Sequence, residues 1–152
     1  MDKSYNLDRF IDAQNSCYEH VLKEIKNGEK RTHWMWFIFP QIAGLGRSST
    51  AVKYEIINLQ EAQAYLSDST LSKRLLELTK ILAYHIDGKT AEEIFGFPDY
   101  MKFHSSMTLF KSVVSSSEQF KNHIDFNCFE DVIKKYYNGE SDRNTIKILE
   151  KS

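Results

Sequence analysis

His33-Trp34-Met35-Trp36-Phe37-Ile38-Phe39-Pro40 is the stretch on which the fold class turns. Nearly every position is apolar, so periodicity alone does not separate a buried strand from a short buried helix. Pro40 ends either one, because it lacks an N–H and restricts the residue before it. No other stretch has strand character. A lone strand would leave its edges unpaired, so the segment points to an all-α fold.

Outward from this stretch the signals are helical. Leu7, Phe10, Ile11, Gln14, Tyr18, Val21, Leu22 and Ile25 recur at helical spacing. They predict one amphipathic helix, capped by Asn6 and stopped by Asn27-Gly28. On the other side, Gln41 to Ser49 reads as a loop that uses Gly44 and Gly46. A short helix follows from about Ser49 and carries Val52, Tyr54 and Ile56. Asn58 with Glu61, and Thr90 with Glu93, have capping-box spacing. Asp68 or Ser69 opens a helix that runs through Leu82, and Pro98-Asp99 opens another through Ser112. Short helices follow around Glu118–His123, Phe129–Tyr137 and Asn144–Glu150, with Asp142 as cap of the last. The expectation is a compact, all-α, single-domain bundle over residues 1–152, with about seven to nine mostly short helices.

The chain has 152 residues and balances 20 Lys plus Arg against 21 Asp plus Glu. That balance argues against a nucleic-acid partner, since no basic footprint covers the molecule. Cys17 and Cys128 have no CxxC partner and read as reduced thiols of a cytoplasmic protein. The opening residues, Met1 to Phe10, lack the apolar core of a leader peptide, and no apolar run is long enough to span a membrane. No HExxH or similar spacing appears, so neither a metal nor another cofactor is expected.

The candidate chemistry centres on His33 to Ser48. Aromatics make up 13% of the chain, and both Trp and two Phe fall within Trp34–Phe39. Beside them lies a loop with Gln41, Gly44, Gly46, Arg47 and Ser48. Glycine backbone, a guanidinium and hydroxyls suit an anionic group. Trp34 or Trp36 could stack on a flat ring, and Lys53 lies about a turn further on. The competing reading makes the aromatics core and pairs Arg47 with an acid. His33 is a candidate acid/base, or a hydrogen-bonded structural residue. A second stripe, Lys102, Ser105 and Ser106, lies on the predicted helix 102–110. There Lys102 and Ser105 share a face, or the hydroxyls simply let helices pack closely. Lys23, Lys26, Lys30 and Arg31 read as a solvated face, because Glu19, Glu24 and Glu29 are interspersed.

These expectations favour a module that binds a small anionic or nucleotide-like metabolite between His33–Ser48 and Lys102–Phe110. The alternatives are an interaction module with an aromatic surface patch, and a hydrolase or transferase that uses His33.

The run His33 to Gln41, then Gly44-Leu-Gly46-Arg47-Ser48, resembles an uncharacterised bacterial family, the domain of unknown function numbered 1810. Leu7-Asp-Arg-Phe10, Lys53-Tyr54, Glu61-Ala62 with Tyr65-Leu66, and Ser105-Ser-Met-Thr-Leu-Phe110 agree with it. The likeness runs from about Leu7 to Leu149. It implies a mainly helical domain and supplies no reaction, cofactor or catalytic residue.

Overall fold

The computed structural model describes residues 5–151. Met1 to Ser4, part of the stretch read above for a leader, lie outside the described residues. Within them the chain is all-α, with eleven α-helices in order: α1 Asp8–Asn15, α2 Tyr18–Lys26, α3 Met35–Ile38, α4 Ser49–Tyr54, α5 Leu59–Ser67, α6 Ser69–Tyr84, α7 Ala91–Phe95, α8 Asp99–Ser116, α9 Glu118–Lys121, α10 Cys128–Tyr136 and α11 Arg143–Glu150. A 3₁₀ turn, Ile124–Asn127, precedes α10. The count exceeds the seven to nine expected (about that many) for two physical reasons. The single turn α3 is too short, and too uniformly apolar, to show a period. The first expected helix is also two helices. Ser16 Oγ donates to the Ala13 carbonyl at 3.0 Å, which competes with the helical ladder and lets the chain turn at Cys17. Asn6 is not the cap either: Leu7 holds that position, and Asn6 takes a left-handed backbone at φ 44°.

Trp34–Phe39 is helical: Met35–Ile38 makes one turn. No strand forms among the described residues. One parallel bridge joins Ile42 to Ile56, through Ala43 N–H to the Ile56 carbonyl at 2.7 Å and Ile56 N–H to the Gln41 carbonyl at 2.9 Å. Ile56 therefore lies beyond α4 rather than on it, and it is fully buried.

Capping behaves as the side chains dictate. Asp68 Oδ1 accepts from both Thr70 and Leu71 N–H at 3.0 Å. Thr90 and Glu93 form a reciprocal capping box, and Asp142 Oδ2 accepts from Thr145 N–H at 3.1 Å. Asn58 caps α5, but Glu61 does not complete that box. Its Oε1 accepts from Ile57 N–H at 2.7 Å, and its Oε2 accepts from Arg9 at 3.0 Å.

Helix α8 is the axis of the molecule. It packs against α10, α5, α9, α7 and α11 and buries Phe103, Ser105 to Phe110, and Val113. Its middle, Ser105 to Phe110, is buried on every side, and its polar and exposed positions lie toward the two ends. Aromatic rings interlock along it: Phe103 meets Phe39 edge-to-face at 4.8 Å and stacks on Phe95 at 4.5 Å between ring centroids. At the far end of α6, the Lys135 ammonium donates to the carbonyls of Leu82, Ala83 and Ile86. A lysine from α10 thus takes terminal carbonyls of α6 alongside the His85 N–H bond to the Ile81 carbonyl.

Candidate functional site

The approach to Trp34 is organised by Glu24, on α2. Its carboxylate accepts from Arg31 N–H at 2.7 Å, Thr32 Oγ1 at 2.7 Å, Thr32 N–H at 3.1 Å and Trp34 Nε1 at 3.0 Å. Burial pushes this carboxyl up, but the hydrogen bonds from Thr32, Arg31 and Trp34 outweigh it and hold its pKa at about 2. Trp34 is consequently core: its ring is buried, its N–H is taken by Glu24, and the Lys30 ammonium sits 5.0 Å from the ring centroid. It presents no face on which a ligand could stack. Lys30 also departs from the solvated face expected of it. Its ammonium is buried and meets Asp99 Oδ2 at 2.7 Å.

That ion pair shapes what lies next door. Asp99 is engaged by Lys30, so Lys102, one turn along α8, reaches Asp99 Oδ1 only at 3.8 Å. The Lys102 ammonium instead rests 5.5 Å from the centroid of the half-buried Trp36 ring. Trp36, Lys102 and Gln41 line one cleft with Tyr54, Glu55 and Ala51. The Gln41 side-chain amide makes no hydrogen bond to the described residues. The cleft holds about 10 Å³, room for roughly one water.

Gly46 is a spacing residue for this cleft. A Cβ there would lie 2.5 Å from Ala51 Cβ and 3.3 Å from Gln41 Nε2. Gly44 has φ +103°, a backbone that favours glycine. Arg47 is exposed and has no hydrogen-bond or ion-pair partner among the described residues. Ser48 is the cap of α4, accepting from Ala51 N–H at 3.1 Å.

The other expected site residues lie elsewhere. His33 is exposed and makes no hydrogen bond to the described residues. Lys53 is exposed, with its ammonium over its own neighbour Tyr54, and it borders a separate groove with Arg9 and Ile57. Ser105 is buried and donates to Asp142 Oδ2 at 3.0 Å, tying α8 to α11. Ser106 is fully buried, and its hydroxyl has no partner. Neither serine opens to the Trp36 cleft, and Lys102 is separated from Ser105 in role: one faces Trp36, the other α11. The structure therefore unites Trp36, Gln41, Gly46 and Lys102 and leaves Trp34, Ser105 and Ser106 in the interior.

Sequence reasoning missed Arg9. Its guanidinium donates to the carbonyls of Tyr5, Asn6, Lys53 and Glu55, each at 2.8 Å, and to Glu61. The capping spacing of Glu61 was a visible signal for that acid. No local pattern marks the arginine, because its partners are 44 to 52 residues away apart from Tyr5 and Asn6.

Among the described residues no three His, Cys, Asp or Glu side chains converge on a metal-sized site, and no helix is long and apolar enough to cross a membrane. Fold and clefts together define an all-α protein wound around one long buried helix, with open side clefts lined by mixed polar and aromatic groups. The chain belongs to the family described as protein of unknown function (DUF1810), whose model matches residues 4–149. It is similar to the crystal structure of the conserved hypothetical protein Rv1873 from Mycobacterium tuberculosis, with 43% identity and a TM-score of 0.88 over 96% of this chain and 97% of that one. Comparison with curated proteins finds no match.

Proposed function

We propose that this chain is a binding module for a small anionic metabolite bearing a flat ring, taken at the Trp36–Gln41–Lys102 cleft. The observation that carries the reading is the state of Lys102. Its neighbouring acid is held at 2.7 Å by Lys30, which leaves Lys102 at 3.8 Å and its charge against the Trp36 ring. A cation so placed can release the ring and take an anion, while the ring accepts a planar group. The free Gln41 amide supplies a donor and an acceptor to orient it. Because the cleft holds about 10 Å³, the ligand lies across its mouth and Lys102 moves aside. Arg47, exposed and unpaired among the described residues, is a further cation on the loop that joins Gln41 to α4.

Catalysis draws no comparable support. Among the described residues His33 has no acid, base or hydroxyl bonded to it, and a general base needs its proton partner within hydrogen-bond reach.

A thermal-shift series with AMP, ADP and pyrophosphate tests the reading. Saturation at a hundred times Kd stabilises by about 2.7 kcal/mol, a rise of roughly 5–10 °C for a domain of this size. AMP and ADP should raise Tm in the wild type, and Lys102→Ala and Trp36→Ala should abolish the rise. Pyrophosphate, which has no ring, should respond to Lys102→Ala alone. If none of the three shifts Tm, or Lys102→Ala responds like wild type, the cleft does not bind anions of this class.

A further inference from the structure

A second, larger cleft lies where α5 meets α6. It encloses about 690 Å³, within the range of roughly 300–1,000 Å³ typical of small-molecule sites. Tyr5 and Leu7 form an apolar wall, and Gln60, Gln63, Asp68 and Ser69 supply the polar groups. Among the described residues no Lys or Arg lines it, so they offer an anion no countercharge there.

The polar groups have hydrogen-bonding capacity to spare. Asp68 uses Oδ1 for both of its capping bonds, and Oδ2 has no partner among the described residues. Gln63 donates through Nε2 to Ser117 Oγ at 3.3 Å, and its side-chain Oε1 has no partner among the described residues. The Gln60 amide and the Ser69 hydroxyl are also unpartnered among the described residues. Asp68, the one charged group among the described lining residues, faces the positive end of α6 and accepts two of its N–H groups, which offsets much of its field. A cationic ligand therefore gains little here. What remains is an array of neutral acceptors and donors facing a ring and an aliphatic side chain.

We propose that this cleft binds a neutral, hydroxyl-rich ring, that is, a saccharide. Sugar hydroxyls match acceptors on Asp68 and Gln63 and the donor–acceptor pair of Gln60 and Ser69. The C–H face of the ring packs on Tyr5 and Leu7. The cleft and its ligand class are independent of the Trp36 site.

The test is a titration of the full chain with glucose, ribose and maltose, followed by amide chemical shifts. Saturable shifts should cluster on residues 60–69 for at least one sugar, with millimolar affinity. Ala64→Phe, which fills the cleft from α5, should weaken that sugar at least tenfold with circular dichroism unchanged. Asp68→Asn keeps an N-cap residue, so it should hold Tm while weakening the same sugar severalfold. Should Ala64→Phe unfold the chain, Asp68→Asn and Gln60→Ala carry the test. The proposal is overturned if no sugar gives saturable shifts, if these variants bind like wild type, or if spermidine or inorganic phosphate moves the same amides more strongly.

Discussion

Replacing Arg9 should injure this protein more than replacing any exposed charge. The guanidinium bonds four backbone carbonyls at 2.8 Å and Glu61 at 3.0 Å, with the two side chains only 14% and 3% exposed. It thereby fastens the N-terminal turn, the end of α4 and the start of α5. In Arg9→Ala the buried Glu61 carboxylate keeps Ile57 N–H and loses its countercharge. Breaking such a pair from one side costs about 3–5 kcal/mol, mostly for the charge left behind. Against a total of about 5–15 kcal/mol that is a large fraction, and it lowers Tm by roughly 6–20 °C. Urea denaturation of a double-mutant cycle separates the causes. If the stranded charge dominates, Glu61→Gln added to Arg9→Ala should restore about 1–3 kcal/mol of coupling. Arg9→Lys should recover little, because an ammonium cannot fork to five acceptors. A loss below about 1 kcal/mol in Arg9→Ala, or strictly additive single changes, would refute this account.

Three further outcomes follow from the same geometry. Glu24 has a folded pKa of about 2 against an ordinary 4.5, so its contribution is complete above pH 4.5 and is lost as pH falls toward 2. After allowance for partial exposure this is about 1–2 kcal/mol, and stability measured at pH 7, 4 and 3 should fall more steeply in wild type than in Glu24→Gln. Gly46→Ala places a Cβ 2.5 Å from Ala51 Cβ and should cost about 1–3 kcal/mol, with Ala51→Gly in the same chain restoring most of it by thermal melt. Ser106→Ala removes a buried hydroxyl that has no partner; it should be neutral or stabilising by up to about 1 kcal/mol, and a strong loss of stability in calorimetry would mean that the hydroxyl is bonded after all.

Much of the candidate site was legible locally and some was not. Gly46, Gln41 and Trp36 lie within eleven positions of one another, and their convergence follows from a short helix, a loop and a helix cap in succession. Trp34 and Trp36 look alike in sequence, yet one is buried and the other lines a cleft. Glu24 decides this by drawing the Trp34 indole inward from ten residues upstream. Likewise Lys30 and Lys102 are both lysines near acids. Only their shared contact with Asp99 shows which is the better paired.

What the chain by itself determined is the helical character of almost every element and the caps at Asn58, Asp68, Thr90 and Asp142. These depend on neighbours three or four residues apart, where side-chain chemistry and backbone geometry act directly. The tertiary structure alone decided the burial of Lys30, the clamp of Arg9 on Glu61, and the cleft between α5 and α6. Each joins groups far apart in the chain or trades a local hydrogen bond for a distant one. The gain comes from desolvation and countercharge, which do not exist until the chain has folded.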